Sequence, residues 1–239
     1  MKPFFCYFGG KYRVAAHYPP PSHATVVEPF AGAAGYATRW YTPKLVVKLY
    51  ELDPIICSLW DYLIKVRPAE IRRLPLVVEH TDDLRCCMEA KVLIGFWLNK
   101  GTVGVHRVPS SRFKSGDRPN SHWGEVIRER IATQVALVKQ WTIKQSSYEK
   151  IPNIRATWFI DPPYSVRGCV YPCSSVNIDY IKLGAWSRGR KGQVIVCEND
   201  GAKWLPFKHF RNFHPTVYGD GQSHQSVEVV WTNKERVTR

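Results

Sequence analysis

Residues 24–40 carry the clearest signal of the fold, and they read Ala24-Thr25-Val26-Val27-Glu28-Pro29-Phe30-Ala31-Gly32-Ala33-Ala34-Gly35-Tyr36-Ala37-Thr38-Arg39-Trp40. A β-branched run leads into a glycine-rich turn and then into a segment that favours helix, so we expect a strand, a tight turn and a helix. Such a turn lets backbone approach a ligand closely and presents amide groups at a helix start. It lacks both the spacing of a dinucleotide-binding loop and the Gly-Lys-Ser/Thr ending of a phosphate-binding loop, which disfavours nicotinamide and triphosphate ligands.

An acidic residue ends the next strand. Residues 45–50 form a second apolar run that stops at Glu51, and apolar side chains then recur at helical spacing after Pro54. An acid at this place can accept hydrogen bonds from the hydroxyls of a ribose, and Asp53 is the alternative candidate for that role. The glycine turn and the acid together predict a nucleoside cofactor that has no pyrophosphate.

The remaining pattern predicts an α/β fold with an insertion. Strand texture returns at residues 141–143, 156–160, 193–197 and 226–232. The last of these alternates as a late antiparallel strand would. Because strands alternate with helices, we expect a mainly parallel sheet with ligands at the carboxyl ends of its strands. Helical patterns around a basic loop indicate an inserted helical domain at residues 85–140, with residues 1–84 and 141–239 forming the body.

The charge balance favours a polyanionic partner. Lys and Arg number 34 against 20 Asp and Glu, which gives a formal charge of +14. Because each phosphate that a basic side chain neutralises releases counterions, such a charge suits nucleic acid. Aromatic residues make up 13% of the chain, which is typical of a globular protein and not of a disordered one.

The seven cysteines predict neither a disulfide framework nor a metal site. Their number is odd and they are scattered, as expected of reduced thiols inside a cell. Cys169 and Cys173 lie close together, but no second pair of Cys or His stands at zinc-finger spacing. No stretch has the pattern of a signal peptide or the length of a membrane span, so we expect a cytoplasmic protein that does not engage membranes.

The most informative tetrapeptide follows the strand at residues 156–160 and reads Asp161-Pro162-Pro163-Tyr164. Its two prolines fix φ and remove two amide donors, which leaves rigid acceptors beside an aromatic ring. The N6 amine of adenine is a poor nucleophile because its lone pair is delocalised into the ring. Acceptors on its hydrogens would localise that lone pair as the amine attacks a sulfonium methyl group. The base would have to be flipped out of a duplex, and stacking on Tyr164, at about 1–3 kcal/mol, would offset part of that cost.

Three motifs, in the same order, resemble those of the Dam-like DNA adenine methylases, the class whose cofactor motif lies near the amino terminus. Residues 8–12 (Phe8-Gly9-Gly10-Lys11-Tyr12) resemble the first motif of that family, residues 28–35 its cofactor loop and residues 161–164 its catalytic motif. Shorter likenesses are found at residues 98–101, within the target-recognition insertion, and at Ser147-Tyr148, before the catalytic strand. The resemblance extends to Asn233. Ala34 departs from it, since the family more often has Gly-Ser or a similar small pair there.

The resemblance implies a Rossmann-like, S-adenosylmethionine-dependent methyltransferase sheet with a helical target-recognition insertion. It implies site-specific methylation of N6 of a flipped adenine in duplex DNA, as in restriction-modification, by an enzyme that needs no metal and associates with the nucleoid through its DNA. The catalytic residues would be Asp161, Pro162, Pro163 and Tyr164. The cofactor would be bordered by Tyr7, Phe8, Gly9, Lys11, Glu28, Pro29, Phe30, Gly32, Gly35, Glu51, Tyr148 and Asp161. The DNA would be contacted by Asn99, Lys100, Arg107, Arg112, Lys114 and Arg118.

Several alternatives remain at the level of the sequence. The same acceptors would serve N4 of cytosine, although family members with that target more often begin the tetrapeptide with Ser. A DNA-binding protein that has lost turnover, or an enzyme acting on RNA or on a protein amide, would share the same motifs, although the basic insertion disfavours the protein amide. Methylation at cytosine C5 is disfavoured, because Cys173 follows a proline but lacks a glycine-rich partner loop in the right order.

The basic side chains of the insertion could contact bases or phosphates or form a solvated face. We expect a monomer, or a dimer if the target site is palindromic.

Overall fold

The sheet at the centre of the molecule carries the candidate site on one edge. The computed structural model describes residues 1–99, 104–114, 121–166, 177–213 and 226–233. Within these residues the strands are β1 (Thr25–Glu28), β2 (Val46–Glu51), β3 (Thr142–Gln145), β4 (Ala156–Ile160), β5 (Gly192–Asn199), β6 (Lys208–Phe213) and β7 (Ser226–Thr232). The helices are α1 (Gly35–Arg39), α2 (Pro54–Lys65), α3 (Pro68–Arg72), α4 (Met88–Leu98), α5 (Ser111–Lys114), α6 (Glu125–Val135) and α7 (Tyr180–Arg188). Short 3-10 helices lie at Val14–His17, Thr81–Asp83, Ala136–Val138 and Tyr148–Lys150.

The described strands form one sheet in the order β3-β2-β1-β4-β5-β7-β6. The strands from β3 to β5 pair in parallel, whereas β7 is antiparallel to both β5 and β6. This confirms the predicted α/β class and the mainly parallel sheet. The order matches the dinucleotide-binding fold as far as β5, and it differs in the reversed strand between β5 and β6. The direction of winding changes between β1 and β4, and ligands of open α/β sheets bind beside the carboxyl ends of the strands at such a point.

Helix α2 shows how the local sequence fixes these elements. Pro54 occupies its first turn, and the Asp53 side chain accepts a hydrogen bond of 2.8 Å from the amide of Ile55. Its buried face is formed by Ile56, Leu59, Trp60 and Leu63, which recur at helical spacing. Trp60 stacks on Trp141 with ring centroids 5.6 Å apart, so the helix is packed onto the segment that leads into β3.

Helices α4 and α6 lie within the predicted insertion and also pack into the core of the body. The indole of Trp97 donates a hydrogen bond of 2.9 Å to the carbonyl of Phe4, and the Gln134 amide donates one of 2.9 Å to the carbonyl of Lys2. Residues 93–98 are buried all round the helix, as in a helix at the centre of a domain. The role of residues 85–140 in recognising a target stays a prediction. None of the described helices combines the length and the apolarity that crossing a membrane requires.

Candidate active site

Acidic side chains collect at the carboxyl edge of the sheet. Glu28 and Glu51 are the last residues of β1 and β2, and Asp161 directly follows β4. Because Ile160 pairs with Val196, Asp161 stands level with Cys197 on β5. Parallel strands share this edge, so residues far apart in sequence lie together at the point where ligands bind.

An ion pair joins the first motif to the tetrapeptide. Lys11 Nζ lies 3.0 Å from Asp161 Oδ1, and the two side chains are only 9% and 19% exposed. The same ammonium donates a hydrogen bond of 3.2 Å to the carbonyl of Gly9 and lies 4.6 Å from the centre of the Tyr164 ring. The structure thereby brings together residues of both predicted motifs.

The ion pair sets the charge states at this position. Burial raises the pKa of Asp161 above its ordinary value, and the Lys11 ammonium opposes that rise. Burial alone would lower the pKa of Lys11, but the acidic groups around it, Asp161 first and then Tyr164, Glu228 and Cys197, together outweigh burial and hold that pKa well above its ordinary value. Lys11 therefore stays protonated, and Asp161 is a carboxylate with an enhanced affinity for a proton.

Two further carboxyl groups lie near this pair. Tyr18 donates a hydrogen bond to Glu228, which is 5% exposed and pairs across the sheet with Asn199 at the end of β5. Burial raises the pKa of Glu228, and the charge on Lys11 opposes that rise. Glu28 is 2% exposed, and its Oε1 accepts a hydrogen bond of 2.7 Å from the Ala37 amide of α1. Glu28 therefore fastens the start of α1 to the end of β1.

Burial raises the pKa of Glu28 from 4.5 to about 8, although the Ala37 amide favours its ionised form. A carboxyl group whose pKa is raised by folding contributes stability below its unfolded pKa and loses that contribution as pH rises through its folded pKa. The parent chain should therefore lose stability between about pH 5 and about pH 9, whereas Glu28→Gln should not. The free energy of unfolding of the variant minus that of the parent should be larger by a few kcal/mol at about pH 9 than at about pH 5.

Urea unfolding at both pH values measures this difference. Glu129→Gln is the matched control, because Glu129 is an exposed acid whose pKa is lowered by Arg72 and should show no such gain at high pH. An equal effect of Glu28→Gln at both pH values would mean that Glu28 ionises normally in the folded chain.

The glycine turn is held by Glu51. The amide of Gly32, where φ is +43°, donates a hydrogen bond of 3.0 Å to Glu51 Oε2. The carbonyl of Gly32 accepts one of 2.7 Å from the indole of Trp60. Burial raises the pKa of Glu51, and the backbone amides that bond to it oppose the rise. Asp53, the alternative ribose ligand, caps α2, so Glu51 is the acid that lies against the turn.

Ala34, the departure from the family pattern, adopts a left-handed conformation with φ of 47° at the start of α1. This conformation costs a residue with a Cβ about 1 kcal/mol or more. The turn nevertheless keeps its shape, because the Ala34 amide donates 2.6 Å to the carbonyl of Ala31 and its carbonyl accepts 2.9 Å from Thr38.

Aromatic side chains flank the turn. A Cβ built on Gly32 would lie 3.2 Å from the Tyr7 ring, so Tyr7 lies directly against the turn. The rings of Phe30 and Tyr148 have centroids 5.7 Å apart. Of the predicted cofactor residues, Tyr7, Phe30 and Tyr148 thus lie beside the loop or its neighbouring residues. Pro29 is buried, and Phe8 and Gly9 belong to the turn that carries Lys11.

The structure adds residues that the sequence interpretation missed. Tyr180, the first residue of α7, donates a hydrogen bond to the carbonyl of Pro163. Glu198 near the end of β5 is fully buried and accepts a hydrogen bond of 2.6 Å from the Ser165 amide. A signal for Glu198 was present, because an acid at the end of an apolar strand is the same pattern that singled out Glu28 and Glu51.

The predicted DNA contacts are only partly described. Arg107 is exposed and forms an ion pair of 3.0 Å with Asp82, Lys114 is exposed, and Asn99 directly follows α4. Arg112 belongs to α5, whereas Lys100 and Arg118 lie outside the described residues, as do Cys169 and Cys173. Within the described ranges, no group of His, Cys, Asp and Glu is arranged to hold a metal ion.

Comparison of the chain with models of known protein families gave no match, and neither did comparison with curated proteins.

Proposed function

We propose that this chain is an S-adenosylmethionine-dependent methyltransferase that methylates N6 of a flipped adenine in DNA. The observation that carries the proposal is the ion pair between Lys11 and Asp161 at the carboxyl edge of the sheet. The pair joins the tetrapeptide to the segment that packs against Gly35 of the glycine turn, near the change of winding where open α/β sheets bind ligands.

The donors and charges of the turn fit this cofactor better than a phosphate. The amides of Ala31, Gly32 and Ala34 all donate within the protein, to Tyr50, Glu51 and Ala31 respectively. They are therefore not directed at a phosphate, in contrast to the loops that bind dinucleotides and triphosphates. Glu51 and Asp161 at this edge instead suit a ligand that carries ribose hydroxyls and positive charge. Glu51 would hold the ribose, and Tyr7, Phe30 and Tyr148 offer faces for its adenine.

S-adenosylmethionine supplies the methyl group as a sulfonium electrophile. Asp161 would accept a hydrogen bond from the target amine and localise its lone pair as the new nitrogen–carbon bond forms and the carbon–sulfur bond breaks. The amine then loses a proton, and the raised pKa of Asp161 favours its acting as the acceptor. Because the Pro163 carbonyl already accepts from Tyr180, we assign the second acceptor to the carbonyl of Pro162.

The base itself would lie on Tyr164. Its ring is adjacent to the Lys11 ammonium, so an entering base would share the Asp161 carboxylate with Lys11. The formal charge of +14 supports a polyanionic substrate, for which flipping of the target base would be required.

We expect the purified chain to transfer label from methyl-labelled S-adenosylmethionine to mixed-sequence duplex DNA, and nucleoside analysis to give N6-methyladenine. Asp161→Ala is the inactive control. If the analysis gives N4-methylcytosine, the target base is cytosine and not adenine. If only RNA is labelled, the substrate is RNA and not DNA. If the chain binds DNA but neither binds the cofactor nor transfers label, the site belongs to a DNA-binding protein without turnover.

A further inference from the structure

Glu198 is a buried carboxylate that the proposed chemistry does not use. It is 0% exposed, and its Oε1 accepts hydrogen bonds from the Ser165 amide at 2.6 Å, from the Ser165 hydroxyl and from the Trp204 indole at 3.2 Å. Its Oε2 accepts 2.9 Å from the Asn199 amide. Burial raises the pKa of Glu198, and these donors oppose the rise. Several donors converging on one buried carboxylate make a strong, directional attachment.

The contacts of Glu198 are directed at the segment that follows the tetrapeptide. Ser165 is the residue directly after Tyr164, and the next carbonyl, that of Val166, accepts 3.0 Å from the side chain of Asn199. Two consecutive residues are thereby fixed to the end of β5.

The same group reaches the tetrapeptide from its other side. The Trp204 ring lies 5.5 Å from that of Tyr180, and Tyr180 donates its hydroxyl hydrogen to the carbonyl of Pro163. A chain of contacts therefore runs from Glu198 through Trp204 and Tyr180 to Pro163, while a second runs from Glu198 directly to Ser165. Tyr164 lies between the two fixed points.

We propose that Glu198 is a positioning residue, which fixes the backbone on both sides of Tyr164 so that the ring and the Asp161 carboxylate hold their geometry before any ligand binds. This inference rests on the proposed function. Acceptors fixed in advance need no reorganisation as charge develops on the amine, and a displacement of about 1 Å can lower a rate by about 10²-fold. Glu198 itself would touch neither the base nor the cofactor.

Two substitutions and a matched control test this role. Glu198→Ala removes every acceptor, whereas Glu198→Gln keeps an oxygen for Ser165 and Trp204. Asn233→Ala is the control, because Asn233 makes two hydrogen bonds, of 3.0 and 2.8 Å, to Val194 and Gly192 at the opposite end of the same strand. Thermal melting, kcat and KM for the cofactor are measured for all three variants, and hydrogen exchange is measured across residues 161–166.

Glu198→Ala should lower kcat by roughly 10- to 100-fold with less than about a threefold change in KM, and Glu198→Gln should recover much of that loss. Asn233→Ala should lower the melting temperature and leave kcat unchanged. The Ser165 amide should exchange faster in Glu198→Ala only. Unchanged exchange at Ser165 would overturn the attachment, and a normal kcat despite faster exchange would overturn the positioning role. The exchange measurement applies even if the parent chain methylates no DNA, so the failure of the two proposals can be told apart.

Discussion

Asp161→Asn should lower kcat for methyl transfer by about 10²- to 10³-fold, the range seen when one preorganised electrostatic contact to a transition state is removed. Asn has nearly the shape of Asp and keeps one acceptor oxygen. It cannot carry the negative charge that opposes the positive charge developing on the attacking amine, nor can it take up the departing proton. Binding of the cofactor should change far less, because Glu51 and the glycine turn are untouched. Single-turnover kinetics and calorimetric titration measure the two effects separately.

The Lys11 ion pair complicates this variant and also supplies its control. Asp161→Asn leaves the buried Lys11 ammonium without the negative charge of its ion-pair partner, so stability should fall. Lys11→Met removes that ammonium, and the double variant should melt closer to the parent than Asp161→Asn does. Because Lys11 itself belongs to the predicted site, the double variant tests only the effect on stability, and kcat is compared between Asp161→Asn and the parent chain at a temperature at which both are fully folded. A kcat above about a tenth of the parent value in Asp161→Asn would remove Asp161 from the proposed role.

The segment from Thr25 to Trp40 could be read from the sequence because its signals are local. A β-branched run, closely spaced glycines and a following helix are properties of neighbouring residues, and Glu51 could be placed by the same reasoning. That acids at strand ends meet at one edge follows from the parallel sheet. Both the strand pattern and the convergence of Glu28, Glu51 and Asp161 were accordingly predictable.

Contacts between distant segments could not be read in the same way. Nothing in the neighbourhood of Lys11 identifies Asp161 as its partner, and only the family resemblance placed both in one site. The attachment of Ser165 to Glu198 depends on the register of β4 against β5, which periodicity does not give. Helix α4 gave no such information for another reason: a helix that is apolar all round carries no amphipathic signal to show which side faces the rest of the chain.

Gly35→Ala should disrupt both the fold and the site, although by helix propensity alone it would stabilise the first turn of α1 by up to about 1 kcal/mol. A Cβ at this position would lie 2.6 Å from the amide nitrogen of Tyr12 and 3.0 Å from backbone atoms of Lys11. These are backbone atoms, so no side-chain rotation relieves the contact. We expect a loss of about 1–3 kcal/mol in the free energy of unfolding, as for overpacking elsewhere. Urea unfolding gives this value directly.

The direction of the movement makes this variant informative about function. The segment pushed away from α1 is the one that carries Lys11 to Asp161, so methyl transfer should fall even at temperatures where the variant is fully folded. Gly189→Ala is the matched control, since a Cβ there meets its nearest neighbour at an ordinary 3.5 Å and φ is −80°. Gly35→Ala could instead have the same melting temperature and turnover number as Gly189→Ala. Residues 11 and 12 could then not pack against α1 as closely as in this structure, and the position of Lys11 beside Asp161 would not be supported. If Gly35→Ala were less stable but had normal turnover, the close packing of residues 11 and 12 against α1 would serve folding alone. The Lys11–Asp161 ion pair would then form even when this packing is disturbed.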